Sequence, residues 1–213
     1  MNDDFDFEPV RGLPELLPKD ERLLWQGAPR WQDLAIHAYH ARKVVWYFVA
    51  LAVFQAALRI AEGASLAEAT RPFLWLIPMG LAAAGILTGI AYLSARTTVY
   101  SITDKRVVMR IGMALPVTFN LPFRSIDGAA LRSYGNGSGD IPLQLSAGEH
   151  IAYLVLWPHA RPFRFRNPEP CLRAIPDAEA TASLLATVLQ AAPQTGTQHR
   201  GQTIRLPAQT VAA

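Results

Sequence analysis

Residues 73–95 form 23 consecutive positions without Asp, Glu, Lys or Arg. A helix of about 20 apolar residues, rising 1.5 Å per residue, covers the hydrocarbon core of a bilayer. A second uncharged run of 15 residues, 44–58, lies just upstream. We therefore predict an α+β membrane protein with a two-helix transmembrane hairpin at 41–95, whose spans cover about 42–60 and 73–95.

The first span is short, since 15 helical residues reach only about 22 Å. Arg42, Lys43 and Arg59 flank this run and can extend it by directing their charges to the headgroups. Trp46 and Tyr47 suit the membrane interface. The alternative is a helix that lies in the interface without crossing it.

The orientation follows from the flanking positive charges. Seven Lys or Arg residues lie near the outer ends of the two spans, and only Arg59 and Arg71 lie in the connection between them. Because cytoplasmic flanks of membrane helices are enriched in Lys and Arg, we predict that both termini are cytoplasmic. In a Gram-negative bacterium this orientation would correspond to the inner membrane, with the connection between the spans in the periplasm.

The composition excludes several other classes of protein. The net charge of +3 is spread along the chain, which argues against nucleic-acid binding. Cys171 is the only cysteine, so no intrachain disulfide is expected. The acidic start of the chain, with Asp3, Asp4 and Asp6, is unlike a cleaved signal peptide.

The pattern changes from helical to alternating after Thr97, which predicts a globular domain at 96–192. A hairpin at 97–111 is followed by further short β-strand candidates, and Leu184, Leu185, Val188 and Leu189 indicate a C-terminal amphipathic helix. The predicted strands are 97–102, 106–111, 117–123, 129–133, 141–145, 151–157 and 162–166. This outline predicts a seven-stranded β-barrel or sandwich closed by a helix, similar to a pleckstrin-homology domain. We expect residues 1–40 to form an N-terminal cytoplasmic segment, of which 1–17 would dock on a partner or pack along the domain, and 193–213 to form a disordered tail.

Three motifs resemble known families. Residues 99–112, VYSITDKRVVMRIG, and 121–126, LPFRSI, resemble the opening of bacterial pleckstrin-homology domains found beside membrane helices. Residues 17–29, LPKDERLLWQGAP, are similar to the segment that precedes the spans in such proteins. Residues 5–15, FDFEPVRGLPE, resemble the start of the photosynthetic-complex assembly proteins of purple bacteria, the PuhB family.

This resemblance covers roughly residues 5–192 and implies a non-enzymatic factor of the intracytoplasmic membrane. Its implied partners are membrane subunits of the photosynthetic reaction centre and core light-harvesting antenna, contacted through protein–protein interactions. The alternative function is that of an anionic-lipid or membrane-stress sensor of the general bacterial pleckstrin-homology type. No cofactor is implied.

Two sets of residues are candidate contact sites. Gly85 and Gly89 form a GxxxG motif, which permits self-association or docking onto a partner helix, or packing against the chain's own first span. Arg161, Arg164 and Arg166 alternate with two phenylalanines in a predicted strand, so its basic face would contact anionic lipid headgroups or simply face solvent.

The remaining candidates concern chemistry. His37 and His40 lie before the first span and would contact pigment or metal, or act as interfacial polar side chains. His150 and His159 lie in predicted turns and are expected to be solvated. No nucleophile–base pair or phosphate-binding loop is visible, so we predict no catalytic activity and no metal site.

Overall fold

The computed structural model describes residues 12–13, 16–113, 115–146 and 151–191. The chain divides into two compact units. Trp31–Leu93 forms a helical unit, and the described residues up to Arg30 join those from Ser94 onward in a sheet unit. The helical unit is therefore inserted into the sequence of the sheet unit, between its first and second strands.

The helical unit contains the two long apolar helices that the hydropathy pattern predicts. Its elements are α1 (Trp31–His37), α2 (Ala41–Ala61), α3 (Leu66–Ala69) and α4 (Arg71–Thr97), of which the last turn belongs to the sheet unit. Between the long helices, Ser65 and Glu68 cap α3 reciprocally: each side chain accepts a hydrogen bond from the backbone N–H of the other. Both long helices are long and apolar enough to cross a membrane.

The sheet unit contains two four-stranded antiparallel arrangements. The first has the order β1-β2-β3-β4; in the second, β7 pairs with β5, β6 and β8. The strands of the first sheet are β1 (Leu23–Gly27), β2 (Val99–Thr103), β3 (Arg106–Ile111) and β4 (Val117–Pro122). Those of the second are β5 (Ile126–Ala129), β6 (Arg132–Ser133), β7 (Gly139–Leu145) and β8 (Cys171–Ile175).

Both sheets share one hydrophobic core. Fully buried side chains from each sheet, such as Tyr100, Met109, Ile141 and Leu172, belong to one cluster. Two short helices complete the unit: α5 (Tyr153–Leu156) and α6 (Ala178–Ala191). Leu185 of α6 is fully buried in the same cluster, so the predicted C-terminal helix does close the core.

Residues 21–27, in the predicted N-terminal segment, contact the first sheet of the globular domain. Strand β1 pairs antiparallel with β2, and Trp25 lies opposite Ile102. Glu21, just before this strand, accepts two hydrogen bonds from the Arg106 guanidinium, at 2.8 and 2.9 Å. Residues before the first long helix therefore complete the sheet that follows the second one.

Two predicted strands are wrong. Residues 151–157 contain the short helix α5, and 162–166 form turns without strand pairing. Prolines explain the second case, because Pro162, Pro168 and Pro170 remove backbone donors that a strand ladder needs. The predicted segment 129–133 is split between β5 and β6, and β8 was not predicted. The predicted tail at 193–213 and most of the motif at 5–15 lie outside the described residues.

Candidate functional site

The three candidate arginines lie on one irregular segment, but they are not equivalent. Arg161 makes a close ion pair with Glu169, at 2.7 Å between Nη1 and Oε2, and its backbone N–H donates to the Glu169 carbonyl. Arg164 approaches the same carboxylate at 3.7 Å and is half exposed. Arg166 is exposed. Arg161 thus has a structural contact, whereas Arg164 and Arg166 extend toward solvent.

Large apolar side chains are exposed around these arginines. Phe163 is 86% exposed and Phe165 66%, and Leu154 and Trp157 on the neighbouring segment are 86% and 50% exposed. The Tyr153 and Phe165 rings lie 4.8 Å apart, which joins the two segments into one surface. We call the surface formed by these four side chains, three of which are aromatic, the aromatic surface: Leu154, Trp157, Phe163 and Phe165. The predicted strand with one basic and one apolar face is therefore wrong, since the arginines and the phenylalanines are exposed together on an irregular segment.

His159 is buried, contrary to the prediction that it is solvated. Its Nδ1 lies 2.5 Å from the Tyr100 hydroxyl, and its Nε2 lies 3.2 Å from Thr98 Oγ1 and 3.5 Å from Ser94 Oγ. The Arg173 backbone N–H donates to the same tyrosine oxygen, so the tyrosine proton is directed at Nδ1. This network assigns the neutral tautomer with its proton on Nε2.

The electrostatics of this cluster keep His159 uncharged. Burial, and then the positive charge of Arg173, lower the pKa of His159 to about 3. Burial also raises the pKa of the Tyr100 hydroxyl well above its ordinary value, so the phenol stays a hydrogen-bond donor. Burial likewise raises the pKa of the Cys171 thiol. A thiol of this kind suits packing better than nucleophilic chemistry.

Arg173 forms a buried ion pair beside this network. Its Nε lies 3.4 Å from Asp140 Oδ1, and both side chains are only 4% exposed. The guanidinium also donates to the carbonyls of Pro158 and Ala160, each at 3.3 Å, and Asp140 accepts from the Ala174 N–H at 3.0 Å. These hydrogen bonds attach residues 158–160 to strands β7 and β8. The segment that bears Phe163 and Phe165 continues from these residues.

The GxxxG motif faces away from the other helices of its unit. A Cβ atom added at Gly85 or Gly89 would meet no other atom within 4 Å. In contrast, a Cβ at Gly80 would lie 2.7 Å from the Cβ of Phe48 on α2. The two long helices therefore approach each other closely at Gly80. The interpretation that Gly85 and Gly89 pack against the first span is wrong.

The histidines before the first span show no metal-like cluster. His40 has a left-handed backbone (φ 56°) at the start of α2, and its Nδ1 lies 3.4 Å from the Ile36 carbonyl oxygen. His37 belongs to the last turn of α1. Among the described residues, no group of three or more His, Cys, Asp or Glu side chains is placed to hold a metal ion. His150 lies outside those residues.

Comparison with known proteins agrees with the fold. Residues 45–189 match the sequence model of the bacterial PH domain family. The chain belongs to this family. The resemblance of residues 99–112 and 121–126 to bacterial pleckstrin-homology domains is thereby confirmed, and the family match extends from within α2 almost to the end of α6.

A relative of this bacterial PH domain protein occurs in Rhodobacter capsulatus. It is described as an uncharacterized 23.7 kDa protein in the puhA 5' region and is 42% identical over 194 residues, covering 88% of each chain. No solved structure matches this chain.

Proposed function

We propose that this bacterial PH domain protein is a membrane-anchored, non-enzymatic assembly factor of the PuhB family. It acts by protein–protein contacts on subunits of the photosynthetic reaction centre and core light-harvesting complex. The observation that carries the proposal is the 42% identity to a protein of the puhA 5' region, combined with the apolar helices of the chain. That gene designation agrees with the family that the sequence of residues 5–15 resembles.

The exposure of the two long helices supports anchoring in a bilayer. Only 6% and 11% of their most apolar windows are buried inside the protein. Trp46, Phe54, Leu74, Trp75 and Ile86 are all more than half exposed. A core helix of a soluble protein would bury such side chains, so these helices need lipid or partner helices around them.

The pairing of β1 with β2 supports the hairpin topology. Strand β1 precedes the first long helix and β2 follows the second, yet the two strands exchange backbone hydrogen bonds. The sheet can form only where both strands lie on one side of a membrane. An even number of crossings satisfies this requirement, and the excess of Lys and Arg at the outer ends of the spans favours the cytoplasm.

Attachment of the sheet unit to the membrane explains how it would bind partner subunits without a catalytic activity or a tight interface. A binding surface held at the membrane meets other membrane subunits at an effective concentration of around millimolar, so transient contacts suffice. Gly85 and Gly89 offer an outward helix face on which a partner helix or a second copy of the chain can approach closely. Intramembrane contact and the cytoplasmic domain would act on the same partner.

The second candidate, a lipid sensor that reads headgroups through three arginines, has weaker support. Arg161 and Arg164 share the carboxylate of Glu169, so part of their charge is already neutralised. The positive charge of these three arginines alone is therefore not enough to explain lipid contact at this segment.

Deleting the gene from a phototrophically grown source strain is expected to reduce the near-infrared absorption of the core complex and the levels of its subunits. The physical reason is that subunits without an escort fail to meet at the required concentration. Membrane absorption spectra and immunoblots measure both quantities. Complementation with the Rhodobacter capsulatus relative should restore them, because the two chains are 42% identical. An unchanged spectrum with unchanged subunit levels would refute the proposed function.

A further inference from the structure

We propose that the aromatic surface inserts into the headgroup layer of an anionic leaflet, with Arg164 and Arg166 contacting lipid phosphates. This inference deepens the proposed function and rests on its membrane anchoring. It gives the cytoplasmic domain a second attachment to the bilayer, in addition to the covalent one through α4.

The first argument is that the exposed side chains are held in place. The segment that bears Phe163 and Phe165 is closed at its base, where Ala160 bridges Pro170 and Arg161 pairs with Glu169. Phe163 has a left-handed backbone (φ 63°), a conformation that bulky residues rarely adopt. Its ring is nevertheless almost fully exposed, so the fold supports this conformation without gaining buried area from it.

The second argument is chemical. Tryptophan, phenylalanine and arginine together match the interface of a bilayer, where rings enter the apolar edge and guanidinium groups meet phosphates. Residues 153–168 contain three arginines and no Asp or Glu. Glu169 pairs closely with Arg161, so the positive charge left for an anionic leaflet comes from Arg166 and the half-exposed Arg164. Solvent, in contrast, leaves four large apolar side chains exposed without compensation.

The third argument is the position of the surface along the fold. His159, two residues after Trp157, contacts Ser94 and Thr98, which lie at the end of helix α4. Ser94, Thr98 and His159 all belong to the sheet unit, and the chain leaves the predicted second span at residue 95. The covalent connection there limits how far this segment can lie from the headgroups.

The test uses the full chain reconstituted in lipid nanodiscs. A fluorophore is attached to a Phe163→Cys variant, and quenching by headgroup-spin-labelled lipid is compared with quenching by aqueous iodide. Discs contain phosphatidylcholine alone or an equimolar mixture with phosphatidylglycerol. The buried Cys171 thiol, whose pKa is raised, should not react, and the unsubstituted protein checks this. A Ser183→Cys variant, at an exposed polar position on α6, is the matched control.

We expect the Phe163 label to be quenched by the lipid probe in anionic discs and the Ser183 label to be quenched only by iodide. Reversing Arg164 and Arg166 to glutamate should lower the ratio of inserted to free label by at least about fivefold, the factor expected for one arginine near an anionic leaflet. Iodide quenching alone at Phe163 would overturn the proposal. Equal lipid quenching in both disc types would overturn the role of the arginines.

Protection of the Phe163 label in native membranes but not in nanodiscs would also overturn the proposal, since it would identify a protein partner. Failure of the protein to enter discs would instead refute the membrane anchoring on which the proposed function depends. The two failures are therefore distinguishable.

Discussion

Replacing Asp140 by alanine is expected to lower the free energy of unfolding by about 3–5 kcal/mol, the usual result of removing one partner from a buried ion pair. The Arg173 guanidinium would remain buried without its counter-charge. The Ala174 N–H would also lose its acceptor. Chemical denaturation of the full chain in detergent micelles, followed by near-ultraviolet circular dichroism, measures the change.

The exposed pair of Lys105 and Asp20 supplies the control. Asp20 is 76% exposed, so the Asp20→Ala variant should unfold at the same denaturant concentration as the unsubstituted protein. Equal stability of the Asp140→Ala and Asp20→Ala variants would contradict the role assigned to the buried pair.

Acidification from pH 7 to pH 4 is expected to destabilise the sheet unit by up to about 3 kcal/mol through His159 alone. The pKa of His159 is about 3 in the folded protein, lowered by burial and by Arg173. An unfolded histidine binds a proton near pH 6.5. The unfolded chain therefore binds more protons in this window, and stability is lost as the pH falls. The groups that face the ring are the Tyr100, Thr98 and Ser94 hydroxyls, with Arg173 nearby.

A His159→Gln variant isolates this effect, because glutamine keeps polar atoms at the site but does not titrate. Carboxylates titrate equally in both proteins and cancel in the comparison. The difference in melting temperature between the two proteins should shrink as the pH is lowered from 7 to 4. A difference that stays constant over this range would mean that His159 is not held neutral in the folded protein.

The elements predicted correctly are those with strong local signals. The two long helices follow from the absence of charge over 15 and 23 residues, and the β2–β3 hairpin follows from its β-branched alternation around a turn. Strand β1 lacks such a signal, because its partner lies about 75 residues away and its five residues do not alternate. Strand β8 contains Arg173, a residue type that is mostly exposed in proteins, and only the fold brings Asp140 close enough to pair with it in the interior.

The candidate surface was predicted only in part. The alternation of arginine and phenylalanine in the sequence identifies the three arginines, but their arrangement depends on prolines that break the strand and on a carboxylate, Glu169, that pairs with two of them. The sequence predicts a solvated His159 because it predicts a turn at this position. A predicted turn gives no information on which side chains pack over the histidine. Its contacts come from residues about 60 positions earlier in the chain.

The most direct test of membrane anchoring is the sidedness of three positions in the bilayer. Single cysteines replace the exposed residues Arg42, Glu62 and Arg96, and a membrane-impermeant maleimide is applied to right-side-out and inside-out vesicles. We predict that positions 42 and 96 react only from the cytoplasmic side and that position 62 reacts only from the opposite side. Reaction of positions 42 and 96 from opposite sides, or release of the protein into the soluble fraction, would contradict the account.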